Sequence, residues 1–67
     1  MKRTWRDIDG IAEDLAREYP DVDPLGVSLP DLRVLIVKMP LFGDDPDAAT
    51  ESILEAIQAA WYDEFED

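Results

Sequence analysis

Carboxylates are the one reactive group this chain holds in quantity: 17 Asp and Glu, against 6 Lys and Arg, no His and no Cys. Without a thiol there is no sulfur nucleophile, redox centre or cluster ligand. Without an imidazole, the usual acid/base group near neutral pH and the commonest transition-metal ligand are missing. No Gly-rich phosphate loop and no serine nucleophile elbow is present. Paired carboxylates can do general acid/base work only in a concave pocket that perturbs their pKa values. A 67-residue chain buries only about 60% of its unfolded surface, too small a core to frame such a pocket. The expected chemistry is therefore cation ligation or ion pairing with a partner, not catalysis.

The charge is uneven. Residues 1–38 hold all six bases and eight acids, whereas residues 39–67 hold nine acids and no base, so most of the net −11 falls on the second half. Nucleic acid and anionic membrane surfaces require the opposite sign. The longest apolar run, Val34 to Val37, is too short to span a bilayer, and the basic start Met1-Lys2-Arg3 has no apolar stretch behind it to make a signal peptide. A cytoplasmic monomer is the expectation, and the 46% hydrophobic content argues for a folded domain over a disordered tail.

Three segments must position these carboxylates. In Asp7–Tyr19, residues Ile8, Ile11, Ala12, Leu15, Ala16 and Tyr19 fall on one helical face. Thr4 and Asp7 have capping-box spacing, Gly10 is a weak point worth about 1 kcal/mol relative to Ala, and Pro20 ends the helix. Asp21-Val22-Asp23-Pro24 opens like a calcium loop. The fifth and twelfth positions from Asp21 are Leu25 and Leu32, which excludes an EF-hand. Pro30–Met39 repeats Leu32, Leu35, Ile36 and Met39 at helical spacing behind a Ser28/Asp31 capping box, although the β-branched run 34–37 also admits a buried strand. The third segment is read as a helix from about Asp47 to Glu64, capped by Asp45 or Asp47, with Ile53, Ile57 and Trp61 facing the core.

On that third helix Asp47, Glu51 and Glu55 are expected on one face, with Asp44 and Asp45 beside them, where like charges at i, i+4 destabilise the helix. Asp63, Glu64, Glu66 and Asp67 gather at the C-terminal end, where the helix dipole favours cations. Both clusters invite relief by a cation or by Arg and Lys of a partner. Trp5 is expected to pack over the start of the first helix, and Tyr62 to lie beside Asp63 and Glu64 as an aromatic anchor ringed by charge.

Several blocks occur in an order that resembles a known family: Trp5-Arg-Asp7, Tyr19-Pro-Asp-Val-Asp-Pro24, Phe42-Gly-Asp-Asp-Pro46, Glu51-Ser-Ile-Leu-Glu-Ala-Ile57 and Trp61-Tyr-Asp-Glu64. The chain resembles the IscX (YfhJ) proteins, acidic accessory factors of iron–sulfur cluster assembly, over about residues 4–66. The resemblance implies a mainly α, compact three-helix domain similar to a winged helix. It implies a non-enzymatic adaptor or regulator that binds a cysteine desulfurase of the IscS type through its acidic face, in competition or cooperation with frataxin. It also implies weak Fe²⁺ binding by surface carboxylates. Asp44, Asp45, Glu51, Glu55, Tyr62, Asp63 and Glu64 are the expected partner face, and Asp7, Glu13, Asp21 and Asp23 the expected iron-binding acids. The sequence departs from the family pattern at Val37–Leu41, which is neutral to basic here, and at Arg17, where an acid can stand. Two rival functions remain at this level: an iron carrier with carboxylate ligands, and an acidic mimic that blocks some other basic protein.

Overall fold

A computed structural model describes residues 2–66. Three helices form: α1 (Ile8–Glu18), α2 (Leu29–Lys38) and α3 (Glu51–Glu66), with 3₁₀ turns at Pro24–Gly26 and Pro46–Ala48. The mainly α three-helix architecture is as expected. The likeness to a winged helix is not shown: among the described residues the only β-type pairing is an isolated parallel bridge between Arg3 and Phe42. The strand alternative for residues 34–37 is overturned, because Ser28 accepts the Asp31 N–H at 3.4 Å and starts a helix that carries through Lys38.

The periodic residues are the ones that pack. Ile11, Ala12 and Leu15 of α1, Leu32 and Ile36 of α2, and Leu54, Ile57 and Trp61 of α3 form one buried core with Trp5 and Met39. Helix α3 lies against both other helices and the Pro24 turn. Gln58 ties that turn down by donating from Nε2 to the carbonyls of Pro24 (2.8 Å) and Val27 (2.9 Å). Trp61 is fully buried, and its indole N–H meets no acceptor among the described residues. The apolar area it brings to the core outweighs one unmade hydrogen bond.

Two sequence expectations change. Helix α3 begins at Glu51, not Asp47, because Thr50 caps it: its Oγ1 accepts the Ile53 N–H at 3.2 Å. Asp45 instead caps the separate turn at Pro46–Ala48, where its carboxylate accepts the Asp47 N–H at 3.0 Å. Asp47 therefore leaves the Glu51/Glu55 face and pairs with Arg33 at 3.2 Å. Trp5, expected over the start of α1, also reaches across the chain to the 42–46 turn. Its ring packs on Phe42 with centroids 4.6 Å apart and donates from Nε1 to the Asp45 carbonyl at 2.7 Å.

The centre of the N-terminal arm is a buried ion pair that sequence reading missed. Asp14 is 1% exposed and lies between Arg3 (2.9 Å) and Arg17 (2.7 Å). The carboxylates of Asp14, Asp7 and Glu13 hold the Arg3 guanidinium even more firmly protonated than usual, the Asp14 hydrogen bond foremost. Gly10 is where this arm crosses α1. A Cβ there would sit 2.6 Å from Arg3 Nη1, so the residue that looks like a helix defect makes room for the guanidinium on its way to Asp14.

Candidate functional site

The acids assigned to the partner face fall into two groups with different work. In the turn that leads towards α3, Asp44 and Asp45 are committed to the fold. Asp44 accepts the Trp5 N–H at 3.1 Å through one oxygen and the Asp45 N–H at 2.7 Å through the other. These two backbone donors, Trp5 first, together with the charge of Arg6, hold its carboxyl below the usual range. Asp45 was legible as a cap, although of a different element, whereas the bond from Asp44 to Trp5, thirty-nine positions away, was not legible in the sequence.

The depressed acidity sets a pH dependence. Asp44 contributes stability above the ordinary Asp range, and this is lost as pH falls through its lowered folded value. We expect Asp44→Asn to lower the melting temperature at neutral pH, with the gap to wild type closing in strong acid. Circular dichroism melts across an acidic pH series check this, and a gap constant with pH would refute the assignment.

Glu51 and Glu55 are exposed and have no ion-pair partner among the described residues. At about 100° per residue they share one stripe of α3 with Gln58, Tyr62 and Glu66. Tyr62 is half-buried in that stripe. The Glu66 carboxylate one turn on pushes its pKa up, through hydrogen bonding first and charge second, with smaller contributions from burial, Asp23 and Asp63. Tyr62 is thus a neutral phenol inside a ring of negative charge. Asp63 and Glu64 are exposed in the last turn but point about 100° apart, so they fan out around the helix end. Asp67, counted with this cluster, lies outside the described residues.

The four acids expected to bind iron do not meet. Asp7 precedes α1 and accepts the Thr4 N–H at 3.2 Å, Glu13 is exposed midway along it, and Asp21 and Asp23 lie beyond its end. An 11-residue helix is about 16 Å long, so Asp7 and Asp21 cannot share an ion. Asp23 accepts the Leu25 N–H at 3.0 Å, and its charge is felt at Tyr62. Gln58 of the C-terminal stripe holds the carbonyl of the next residue, Pro24, at 2.8 Å, which sets this loop against α3. Among the described residues no three Asp or Glu are arranged to hold a metal ion, so this donor set does not fit a resident metal centre. Glu66 belongs to the α3 stripe although it is not among the acids expected on the partner face. Its i, i+4 spacing from Tyr62 was the available signal.

The site is thus an exposed acidic helix face with one aromatic anchor, joined by a proline-fixed acidic loop. A family model described as iron–sulphur cluster assembly matches residues 3–66. The chain belongs to this family. It is also 47% identical over 64 residues to an uncharacterized protein of Pseudomonas aeruginosa, covering 96% of this chain and 97% of that protein. Membership agrees with the IscX (YfhJ) resemblance. None of the helices among the described residues is long and apolar enough to cross a membrane.

Proposed function

We propose that this protein is a non-enzymatic adaptor of iron–sulfur cluster assembly that docks on a cysteine desulfurase of the IscS type through its acidic α3 face. The observation that carries the reading is the stripe of Glu51, Glu55, Tyr62 and Glu66, which is rich in charge and has no base in its half of the chain. Such a face recognises a basic surface, speeds encounter and loses affinity with salt. Tyr62, half-buried and uncharged, supplies the apolar contact at its centre. Asp44 and Asp45 contribute charge but mainly hold the turn that leads into α3. Frataxin competes or cooperates for the same desulfurase in this reading. The protein works as a cytoplasmic monomer, and ferrous iron associates weakly with exposed carboxylates, without a built centre.

An amide NMR titration with the desulfurase at low and high salt tests this. Selective loss of the signals of residues 51–66, reversed by salt, is the expected result. No change at either salt refutes desulfurase docking. Calorimetry showing tight, stoichiometric Fe²⁺ uptake by the protein alone would favour the iron-carrier reading instead.

A further inference from the structure

The outer face of α2 has the opposite chemistry to the face just described. Arg33, Val34, Val37 and Lys38 of α2, with Pro46 across from them, line a shallow groove of about 230 Å³. The opposite side of the helix buries Leu32 and Ile36 in the core, and of the groove's α2 residues only Val37 also packs against it. Val34 is 50% exposed in it. An apolar groove with a cation on either side is unexpected on a chain with six bases and a net charge of −11. Arg3 and Arg17 are consumed by Asp14, so Arg33 and Lys38 represent much of the remaining positive charge.

Arg33 is held across the groove edge by the Asp47 carboxylate at 3.2 Å and the Pro46 carbonyl at 3.4 Å. That pair is exposed, with 89% of the Asp47 side chain accessible, and exposed pairs contribute little. Arg33 can therefore exchange Asp47 for an incoming carboxylate at small cost, and its planar fork suits a bidentate contact. Lys38 offers a second charge five residues on, at the helix end.

We propose that this α2 groove is a docking site for an acidic peptide segment of a partner protein, one that seats an apolar side chain between Val34, Val37 and Pro46 and pairs its carboxylates with Arg33 and Lys38. The acidic remainder of the surface repels such a segment, which confines it to this face. The protein then has two faces of opposite sign, with α3 meeting a basic surface and α2 an acidic one. It can contact two different partners at once.

The probe is a short synthetic peptide, capped at both ends, with two leucines one helical turn apart among four glutamates. Two controls accompany it, one with lysines for the glutamates and one with serines for the leucines. Amide NMR of the full chain should show saturable shifts confined to residues 33–38 and 46–47 with the acidic peptide, and none with either control. Arg33→Glu with Lys38→Glu should weaken binding about tenfold or more. Arg33→Gln with Lys38→Gln should reproduce much of that loss while sparing the helix dipole. The proposal is overturned if the acidic peptide leaves these residues unperturbed, if the lysine control binds equally, or if both double variants bind as wild type. Sedimentation showing concentration-dependent association that Val34→Glu abolishes would assign the groove to a second copy of the chain, and would overturn it too. Neither the peptide nor the variants touch α3, so desulfurase docking stands or falls separately.

Discussion

Replacing Arg3 and Arg17 together with alanine is expected to unfold the protein or bring it close to unfolding. Asp14 is 1% exposed, and these two guanidinium groups, at 2.9 and 2.7 Å, are its ion-pair partners among the described residues. Stranding a buried carboxylate costs about 3–5 kcal/mol. A domain of 67 residues has only about 3–10 kcal/mol in total at 0.05–0.15 kcal/mol per residue. Each single variant leaves one partner and should cost distinctly less than half the double, because the second cation compensates for the first. That non-additivity is the signature of a shared carboxylate. Adding Asp14→Asn to the double variant should restore much of the stability by removing the stranded charge. Urea unfolding of the five proteins measures this. Additive losses, or no rescue by Asp14→Asn, would show that the two arginines act through packing of their stems instead.

The second large effect concerns docking. Asp63→Lys with Glu64→Lys, and separately Glu51→Lys with Glu55→Lys, should each weaken desulfurase binding about tenfold or more, mostly through slower association and a flatter salt dependence. The centres of the two pairs sit about 16 Å apart along α3, which makes the comparison a ruler. Loss with both pairs requires a partner that spans the helix. Loss with one pair locates the contact at that end. A double variant elsewhere, Asp9→Lys with Glu18→Lys, changes net charge equally and should have a smaller effect. Wild-type affinity in both α3 variants would remove the acidic face from the docking surface. All four acids are exposed, so stability is little affected and binding loss can be read directly.

The IscX-like blocks and the helical periods are local features, and they translate directly into structure. The Ile11–Ala12–Leu15 face, the Ser28 cap of α2 and the Ile57–Trp61 face of α3 depend on neighbours three or four positions away. The sequence by itself therefore determined a three-helix acidic domain, its core residues and its family. Local spacing misled at the start of α3, where two acidic candidates, Asp45 and Asp47, and a proline invite a cap and Thr50 is the residue that caps. Period alone does not rank competing caps.

Only the tertiary structure decided what each carboxylate does. Asp14 looks like any charged residue of α1. It is buried because Arg3 folds back over Gly10 to meet it, eleven positions away. Asp44 looks like a member of a docking patch, yet the Trp5 backbone N–H, thirty-nine positions off, recruits its carboxylate to close the N-terminal arm, and the Trp5 indole fixes the same turn through the Asp45 carbonyl. Asp23 looked like a companion of Asp7, but the length of α1 separates them, and Gln58 draws its loop to α3. A carboxylate has the same charge wherever it stands. Whether it ligates, caps, pairs or faces solvent depends on donors brought to it through space, and those contacts become visible only when the chain has folded.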